Sequence, residues 1–134
     1  MSNASKEILL IDDDTLFVDV VAHKLQAEGF SCVYAATGTM GLDMLASGKR
    51  PDVILLDVTM PDMNGFGVLR KIKEDPKIAD VPVYMFSNDA TKENIELSKL
   101  LGAKQFIEKV QVVPGELAEI LKRSLGMAVE ECEA

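Results

Sequence analysis

The sequence predicts an α/β fold with a five-stranded parallel sheet and helices on both faces. Five short strand-like runs alternate with five segments whose apolar residues have helical spacing. A repeated strand, helix, strand order favours parallel strands joined by right-handed crossovers. With 134 residues, 48% of them apolar and 27% charged, the chain has the length and composition of one compact domain. We expect that domain over residues 6–126, after an expression remnant or disordered start (1–5) and before an acidic tail or linker stub (127–134).

Four of the predicted strands are apolar runs, as expected for strands buried on both faces of a sheet. The remaining strand, residues 31–35, is less apolar and is predicted to lie nearer a sheet edge. The apolar strands are residues 8–11, 53–56, 81–86 and the weaker 105–107.

Capping and stop signals delimit the predicted helices. The first helix is expected to end at Gly29, a natural position for a left-handed C-terminal residue. Its apolar residues on one side are Leu16, Phe17, Val20, Val21 and Leu25. Thr37 and Thr91 are the predicted N-caps of the second and fourth helices, and Pro114 suits the first turn of the fifth. The third helix is expected at about residues 65–73, and the second, fourth and fifth are expected to end at Gly48, Gly102 and Gly126.

Composition and charge argue against several classes of protein. No apolar run approaches the roughly 18 residues of a membrane-spanning helix, and the first residues lack a secretory signal, which predicts a cytoplasmic protein without a membrane partner. Twenty-two acidic against 14 basic residues give a formal net charge of −8, which argues against direct nucleic-acid binding. The two cysteines, Cys32 and Cys132, fit neither a disulfide scaffold nor a zinc site.

Polar side chains follow four of the five predicted strands where each strand ends. Because the carboxyl ends of parallel strands meet at one edge, about 5 Å apart per strand, we expect these side chains to lie together. They are Asp12 and Asp13 after the first strand, Asp57 after the third, Ser87 after the fourth and Lys109 after the fifth. Clustered carboxylates raise one another's pKa unless a cation shares the site. Mg2+ is favoured over Ca2+ because few carboxylates converge, and over Zn2+ because no histidine or thiolate is near.

The same residue types suit phosphoryl transfer. If Asp57 attacks a phosphorus atom, charge on the transferring oxygens must be neutralised and the nucleophile must be held in line. A divalent cation, the Lys109 ammonium and the Ser87 hydroxyl would supply this. The pattern, with Phe106 in the fifth strand, resembles the receiver domain of two-component response regulators over most of the chain. The segment that carries the resemblance most specifically is Asp57-Val58-Thr59-Met60-Pro61-Asp62-Met63-Asn64-Gly65.

The resemblance implies a flavodoxin-like fold with strand order 2-1-3-4-5. It implies that Asp57 accepts a phosphoryl group from a phosphohistidine of a sensor histidine kinase or phosphotransfer protein. Such a domain is a switch that assists its own phosphorylation and dephosphorylation rather than an enzyme. By the same resemblance, the Mg2+ ligands are Asp12, Asp13, Asp57 and the backbone carbonyl of Thr59.

The resemblance also implies a switching surface. Ser87 and Lys109 would bind the phosphoryl group, and Phe106 would change rotamer as Ser87 is drawn inward. This change would alter the surface of the fourth helix, fifth strand and fifth helix, which binds a downstream protein target or output domain. Two positions depart from the family pattern: Asn88 replaces a small residue, and Val110 replaces a proline. By the same resemblance, Thr59 and Asp89 would occupy variable positions that tune the lifetime of the phosphorylated state.

Several alternatives stay open at this point. Asp12 and Asp13 could cap the first helix, Phe106 could be an ordinary core residue, and His23 is expected to be a surface imidazole. A haloacid dehalogenase-type phosphohydrolase would also use an early aspartate, although Leu16 stands where that family has Thr or Val. A receiver fold that serves as an interaction module without phosphorylation is the more serious alternative, because of Asn88 and Val110.

Overall fold

A computed structural model describes residues 6–110 and 114–126 of the chain. Within that part, five strands alternate with five helices. The strands are β1 (Glu7–Ile11), β2 (Ser31–Ala35), β3 (Val53–Leu56), β4 (Val83–Ser87) and β5 (Gln105–Glu108). The helices are α1 (Thr15–Ala27), α2 (Gly38–Ala46), α3 (Gly65–Glu74), α4 (Lys92–Leu100) and α5 (Pro114–Ser124). The segments predicted as a start (1–5) and a tail (127–134), which includes Cys132, lie outside the described residues.

The strands form one parallel sheet in the order β2-β1-β3-β4-β5, which confirms the predicted fold class. Successive residues of a strand point to opposite faces, so β1 contributes to two separate cores. Leu9 and Ile11 pack with residues of α2 and α3, whereas Ile8 and Leu10 pack with α1 and α5. Helices therefore cover both faces and leave the carboxyl edge of the sheet open for polar side chains.

Burial follows the sequence pattern in the strands. Every residue of β3 and β4 is buried, whereas in the edge strand β2 only Ala35 is buried. Strand β4 begins at Val83 rather than at the predicted Val81. Pro82 has no N–H to contribute to a ladder, although its carbonyl accepts a hydrogen bond from the N–H of Ile54 at 3.0 Å.

The predicted caps are confirmed. The Thr37 hydroxyl accepts from the N–H of Met40 at 3.0 Å, and the Thr91 hydroxyl accepts from the N–H of Asn94 at 3.1 Å. Gly29 has a φ of +100°, a conformation that a side chain would strain. These local signals position the starts and ends of the helices, and so they also fix the lengths of the loops at the carboxyl edge.

The predicted apolar side of α1 is wrong in part. Leu16 and Val20 are 78% and 62% exposed, whereas Val18, which the prediction omitted, is buried with Val21 and Leu25. Apolar residues surround most of this helix, so spacing alone does not decide which arc faces the sheet. His23 on the same helix is exposed, as predicted.

Among the described helices, α4 buries the fewest apolar side chains. Of its nine residues, all within the described part, only Ser98 is buried, and its hydroxyl donates to the carbonyl of Ile95 at 2.7 Å. Leu97 packs partly against the core, but Leu100 is 82% exposed. No helix among the described residues combines the length and apolarity needed to span a bilayer.

Candidate functional site

Two buried carboxylates lie side by side at the carboxyl edge of the sheet. Asp12 follows β1 and Asp57 follows β3, and these strands are neighbours. The N–H of Asp57 donates to the carbonyl of Ile11 at 2.9 Å, and the N–H of Asp12 donates to the carbonyl of Ala35 at 3.1 Å. These bonds extend the ladder beyond the assigned strands, so the sheet itself fixes both side chains. Both residues are less than a tenth exposed, and a buried carboxylate requires a compensating partner.

Asp13 completes an acidic cluster with these two residues. One carboxylate oxygen from each of Asp12, Asp13 and Asp57 lies within 4.8 Å of the others, and the described residues contain no other such group. Asp13 is exposed, so the cluster opens to solvent. Because all three ligands are hard oxygens and only three converge, the cluster fits Mg2+, which keeps several waters.

The surroundings of the Asp57 carboxylate shift its pKa in opposite directions. Burial and the nearby charge of Asp12 raise the pKa of Asp57 to about 6, although Lys109 and the hydrogen bond from Val58 act in the opposite direction. The N–H of Val58 donates to Oδ1 of Asp57 at 2.9 Å. Burial is therefore the main reason that the ionised form of Asp57 is disfavoured, and the repulsion by Asp12 that the sequence pattern predicted adds to it.

Lys109 reaches the cluster from the end of β5. Its ammonium nitrogen lies 2.6 Å from Oδ2 of Asp12 and 3.8 Å from Oδ1 of Asp57, with the side chain only 8% exposed. The backbone N–H of Lys109 donates to the carbonyl of Ser87 at 3.1 Å, which anchors the lysine to β4. The lysine thus bridges two of the three carboxylates.

An aromatic surface supports the lysine from its other side. The Lys109 ammonium lies 4.8 Å from the ring centroid of Phe17 and 6.0 Å from that of Phe86. The two rings are 5.3 Å apart in a tilted arrangement. Sequence reasoning assigned Phe17 only to the apolar side of a helix. The contact with Lys109 joins residues far apart in the chain, so no local signal could have shown it.

Ser87 lies at the same edge of the sheet, at the end of β4 beside β3. It is buried, and its hydroxyl accepts a hydrogen bond from the N–H of Asp89 at 3.1 Å. Asn88 and Asp89 are both exposed. Phe106 pairs with Met85 across β4 and β5, and its half-buried side chain packs against the core under α2, α3 and α4.

The alternative that Asp12 and Asp13 cap the first helix is not what the structure shows. The N-cap of α1 is Asp14, whose carboxylate accepts from the N–H of Phe17 at 3.1 Å. Asp12 instead accepts from the N–H of Asp14 at 2.9 Å, which fixes the turn between the strand and the helix. Asp12 and Asp13 are therefore left to face the edge of the sheet.

The loop after Asp57 passes close to the backbone of Asp57 at Gly65. The N–H of Gly65 donates to the carbonyl of Val58 at 2.7 Å. A Cβ on Gly65 would lie 1.9 Å from the carbonyl oxygen of Asp57, so only glycine fits there. Thr59, the predicted source of a carbonyl ligand, is exposed within this loop. The Asn-Gly pair was visible in the sequence, but its steric role was not.

Asp62 in the same loop is a second feature that sequence reasoning missed. Its carboxylate accepts hydrogen bonds from the N–H groups of Gly38 and Thr39 at 3.1 and 2.8 Å. The hydroxyl of Thr39 also donates to it at 2.5 Å. These bonds, those from Thr39 first, hold the pKa of Asp62 below its usual value. The partners are more than 20 residues away in the chain, which explains why the pattern did not reveal them.

Val110 stands where the receiver pattern has a proline. No peptide bond among the described residues is cis, and Val110 is exposed. Residues 111–113, which continue the loop after Val110, lie outside the described residues.

A doubly wound parallel sheet with an acidic, lysine-containing site at its carboxyl edge defines the flavodoxin-like class of α/β domain. Within that class, a model of the response regulator receiver domain matches residues 8–124. The chain therefore belongs to the receiver domain family of response regulators. This membership favours the receiver prediction over the phosphohydrolase alternative.

Curated relatives agree with that assignment. The polar-differentiation response regulator DivK of Brucella anthropi is 29% identical over 123 residues, which cover 92% of this chain and 98% of DivK. The two-component response regulator ORR11 of Oryza sativa subsp. indica is 29% identical over 91% of this chain and 82% of ORR11.

Solved structures show the same fold. A receiver domain protein from Methanospirillum hungatei has a TM-score of 0.82 at 33% identity, covering 92% of this chain and 95% of that one. Chemotaxis protein CheY4 of Vibrio cholerae has a TM-score of 0.81 at 30% identity, covering 90% and 98%. The receiver domain of a Syntrophus aciditrophicus signal transduction histidine kinase has a TM-score of 0.82 at 29% identity, covering 97% and 98%.

Proposed function

We propose that residues 6–126 form a phosphoacceptor receiver in which Asp57 takes a phosphoryl group from a phosphohistidine. The donor would be a sensor histidine kinase or phosphotransfer protein in the cytoplasm. In this step a carboxylate oxygen of Asp57 attacks phosphorus, the P–N bond to the donor imidazole breaks, and an acyl phosphate forms. The observation that carries the proposal is the placement of Asp57, Asp12, Asp13 and Lys109 together at one edge of the sheet.

The acidic cluster would bind the metal ion that this reaction needs. Asp12, Asp13, Asp57 and the backbone carbonyl of Thr59 would hold Mg2+. When bound, the ion neutralises charge on the phosphoryl oxygens. It would also lower the pKa of Asp57, which burial and then the charge of Asp12 raise, because a shared cation stabilises the ionised form.

Lys109 and Ser87 would bind the phosphoryl group after transfer. In the present structure the Lys109 ammonium is paired more closely with Asp12 than with Asp57. A phosphoryl group on Asp57 adds negative charge within reach of this ammonium, so we expect the lysine to shift toward it. The Ser87 hydroxyl, now an acceptor for the N–H of Asp89, can donate its own hydrogen to a phosphoryl oxygen.

The switch would follow from movement of Ser87. Ser87 and Phe106 belong to paired strands, and Phe106 is only half-buried, so its ring can change rotamer without leaving a large cavity. This change would reshape the surface of α4, β5 and α5 for a downstream protein target or output domain. The domain would assist its own phosphorylation and dephosphorylation, as a switch rather than an enzyme.

A receiver fold that binds partners without phosphorylation is the second candidate. Asn88 favours it, because this exposed residue follows Ser87 where the family pattern has a smaller one, and its amide could narrow access to Asp57. The intact acidic cluster and Lys109 favour the phosphoacceptor. The two candidates differ in whether Asp57 is modified in the presence of Mg2+ and in whether that modification changes the surface that binds partners.

The test is intact-mass measurement after incubation with Mg2+ and acetyl phosphate. We expect one phosphoryl addition in the wild type, none in Asp57→Asn, and none when metal is removed by a chelator. Asp43→Asn is the matched control, since Asp43 is exposed on α2 and carries the same charge. A folded wild type that gains no mass would contradict the proposal, and Asn88→Ala would then show whether the amide blocks the site.

The switching surface needs its own measurement. Amide NMR spectra with and without beryllofluoride, a phosphoryl mimic that binds an aspartate together with Mg2+, should show shifts at Lys104 and Phe106. Asp57→Asn should show none. Shifts confined to the carboxyl edge would support phosphorylation but contradict the switch.

A further inference from the structure

The carboxylate of Asp62 connects the loop between β3 and α3 to the start of α2. Asp62 lies five residues after Asp57, between β3 and α3, and it accepts three hydrogen bonds from the first turn of α2. The first N–H groups of a helix have no partner within the helix, and they favour a negative charge. The hydroxyl of Thr37, the N-cap, accepts from the N–H of Met40, and the carboxylate of Asp62 supplies the acceptors for the N–H groups of Gly38 and Thr39.

A steric contact beside these bonds holds the same two segments together. A Cβ on Gly38 would lie 2.5 Å from Cγ of Met63 and 2.9 Å from Cγ2 of Val68. The start of α2 therefore approaches the loop more closely than a side chain at this position would allow. Asp62 accepts hydrogen bonds from the start of α2, and the adjacent residue Met63 packs against it. The middle of the loop therefore has little freedom to shift.

The base of the loop is fixed independently. The N–H of Gly65 donates to the carbonyl of Val58 at 2.7 Å, and Asn64 accepts from the N–H of Phe66 at 2.7 Å as the N-cap of α3. Thr59 lies between this base and the Asp62 contact. Its backbone carbonyl is thus carried by a short segment that is held at both sides.

We propose that Asp62 is a positioning residue for the metal site. By holding the loop onto α2, it fixes the Thr59 carbonyl relative to the carboxylates of Asp12 and Asp57, and so it sets the affinity for Mg2+. This inference rests on the proposed function, because it assumes that Thr59 contributes its carbonyl to the ion. Asp62 itself does not touch the metal or the phosphoryl group.

The test compares four variants by Mg2+ titration. Asp62→Asn keeps one acceptor oxygen and so cannot serve both backbone N–H groups. Thr39→Val removes only the hydroxyl, and Thr39→Ser retains it. Asp43→Asn, on the same helix, removes a charge whose carboxylate makes no hydrogen bond or ion pair with the described residues. Affinity is measured from amide NMR shifts of Asp12 to Asp14, independently of phosphorylation.

We expect the Mg2+ dissociation constant to rise roughly fivefold to tenfold in Asp62→Asn and roughly twofold to threefold in Thr39→Val. Thr39→Ser and Asp43→Asn should match the wild type. With acetyl phosphate as donor, the Mg2+ concentration for half-maximal rate should rise by the same factors. The rate at saturating Mg2+ should stay within about twofold, because the ion can still draw the loop into place.

The outcomes separate this inference from the one on which it rests. If the wild type binds Mg2+ and the Asp62→Asn and Thr39→Val variants bind it equally well, Asp62 has no positioning role. A lower melting temperature with unchanged Mg2+ affinity would also overturn that role, because it shows a purely structural contact. A wild type that binds no Mg2+ would instead overturn the metal site itself, and the positioning role with it.

Discussion

The ammonium nitrogen of Lys109 lies 2.6 Å from Oδ2 of Asp12, whereas it is 3.8 Å from Oδ1 of Asp57. The lysine therefore neutralises a carboxylate that we propose as a metal ligand. A divalent cation entering the cluster meets a positive charge already in place, so lysine and metal oppose each other before phosphorylation. Once a phosphoryl group is present, both charges are needed.

Replacement of Lys109 by methionine should separate these two effects. Removal of a positive charge within about 4 Å of the cluster should raise Mg2+ affinity roughly threefold to tenfold. The phosphorylation rate should nevertheless fall at least about tenfold, because a cation that stabilises the transition state is lost. Mg2+ titration by NMR and phosphorylation followed by mass measure the two quantities. Lys104→Met, an exposed control, should change neither, and parallel losses in Lys109→Met would contradict competition.

The raised pKa of Asp57 gives the metal-free protein a particular pH dependence. In the folded state the pKa is about 6, against an ordinary value of 3.8, so the folded protein takes up this proton first as pH falls. Stability should therefore increase between pH 7 and pH 5, by about 1 kcal/mol from this group. Urea unfolding in the presence of a chelator measures it.

The control for this pH effect is Asp57→Asn, which cannot titrate. The variant should lack the increase and should be more stable than the wild type at pH 7 without metal. Saturating Mg2+ should remove the increase in the wild type, since the ion favours the ionised carboxylate. A wild type that loses stability steadily from pH 7 to pH 5 would show that folding does not raise the pKa of Asp57.

Gly65 should tolerate no side chain. In Gly65→Ala the new Cβ would lie 1.9 Å from the carbonyl oxygen of Asp57, so the loop or α3 must move. We expect a loss of about 2 to 4 kcal/mol in the free energy of unfolding. Gly67→Ala is the matched control on the same helix, where the nearest atom, Cε of Met63, would be 3.8 Å away.

The control substitution should be neutral or stabilising by up to about 1 kcal/mol, because alanine is the better helix former. Chemical denaturation of both variants gives the comparison. Equal effects of the two substitutions would show that the contact with Asp57 is not limiting.

The ring of Phe17 should stabilise the Lys109 ammonium. A double-mutant cycle of Phe17→Leu and Lys109→Met should give a coupling energy of about 0.5 to 2 kcal/mol. Phe30 provides the control, because it is buried in the same core, whereas the rings beside the Lys109 ammonium are those of Phe17 and Phe86. The cycle of Phe30→Leu with Lys109→Met should give no coupling. A coupling equal to that of Phe17 would mean that the effect arises from general packing.

Sequence reasoning located what local signals and strand order determine. Thr37, Thr91 and Gly29 act through hydrogen bonds and backbone conformation within a few residues, so their roles were predictable. Asp12, Asp57 and Lys109 were predicted to meet because parallel strands present their carboxyl ends at one edge. The specific assignment of their roles depended on resemblance to a family.

Other features depend on long-range packing that a single sequence does not encode in a readable form. The buried arc of α1 is set by the sheet and α5, so the choice of Leu16 and Val20 over Val18 was wrong. The partner of Asp62 is a helix start in another part of the chain. Gly65 was predicted as part of a motif, but its need for close approach appears only when the Asp57 carbonyl is placed.

The sparse burial of α4 should make this helix less stable locally than its neighbours. A helix held by one buried serine and a few partly covered side chains should open locally at a smaller free energy than α3, which buries five residues. Amide hydrogens of α4 should then exchange with solvent before those of α3, without global unfolding. A partner could select such a rearranged α4 from conformations that already exist, so that recognition and reshaping become a single equilibrium.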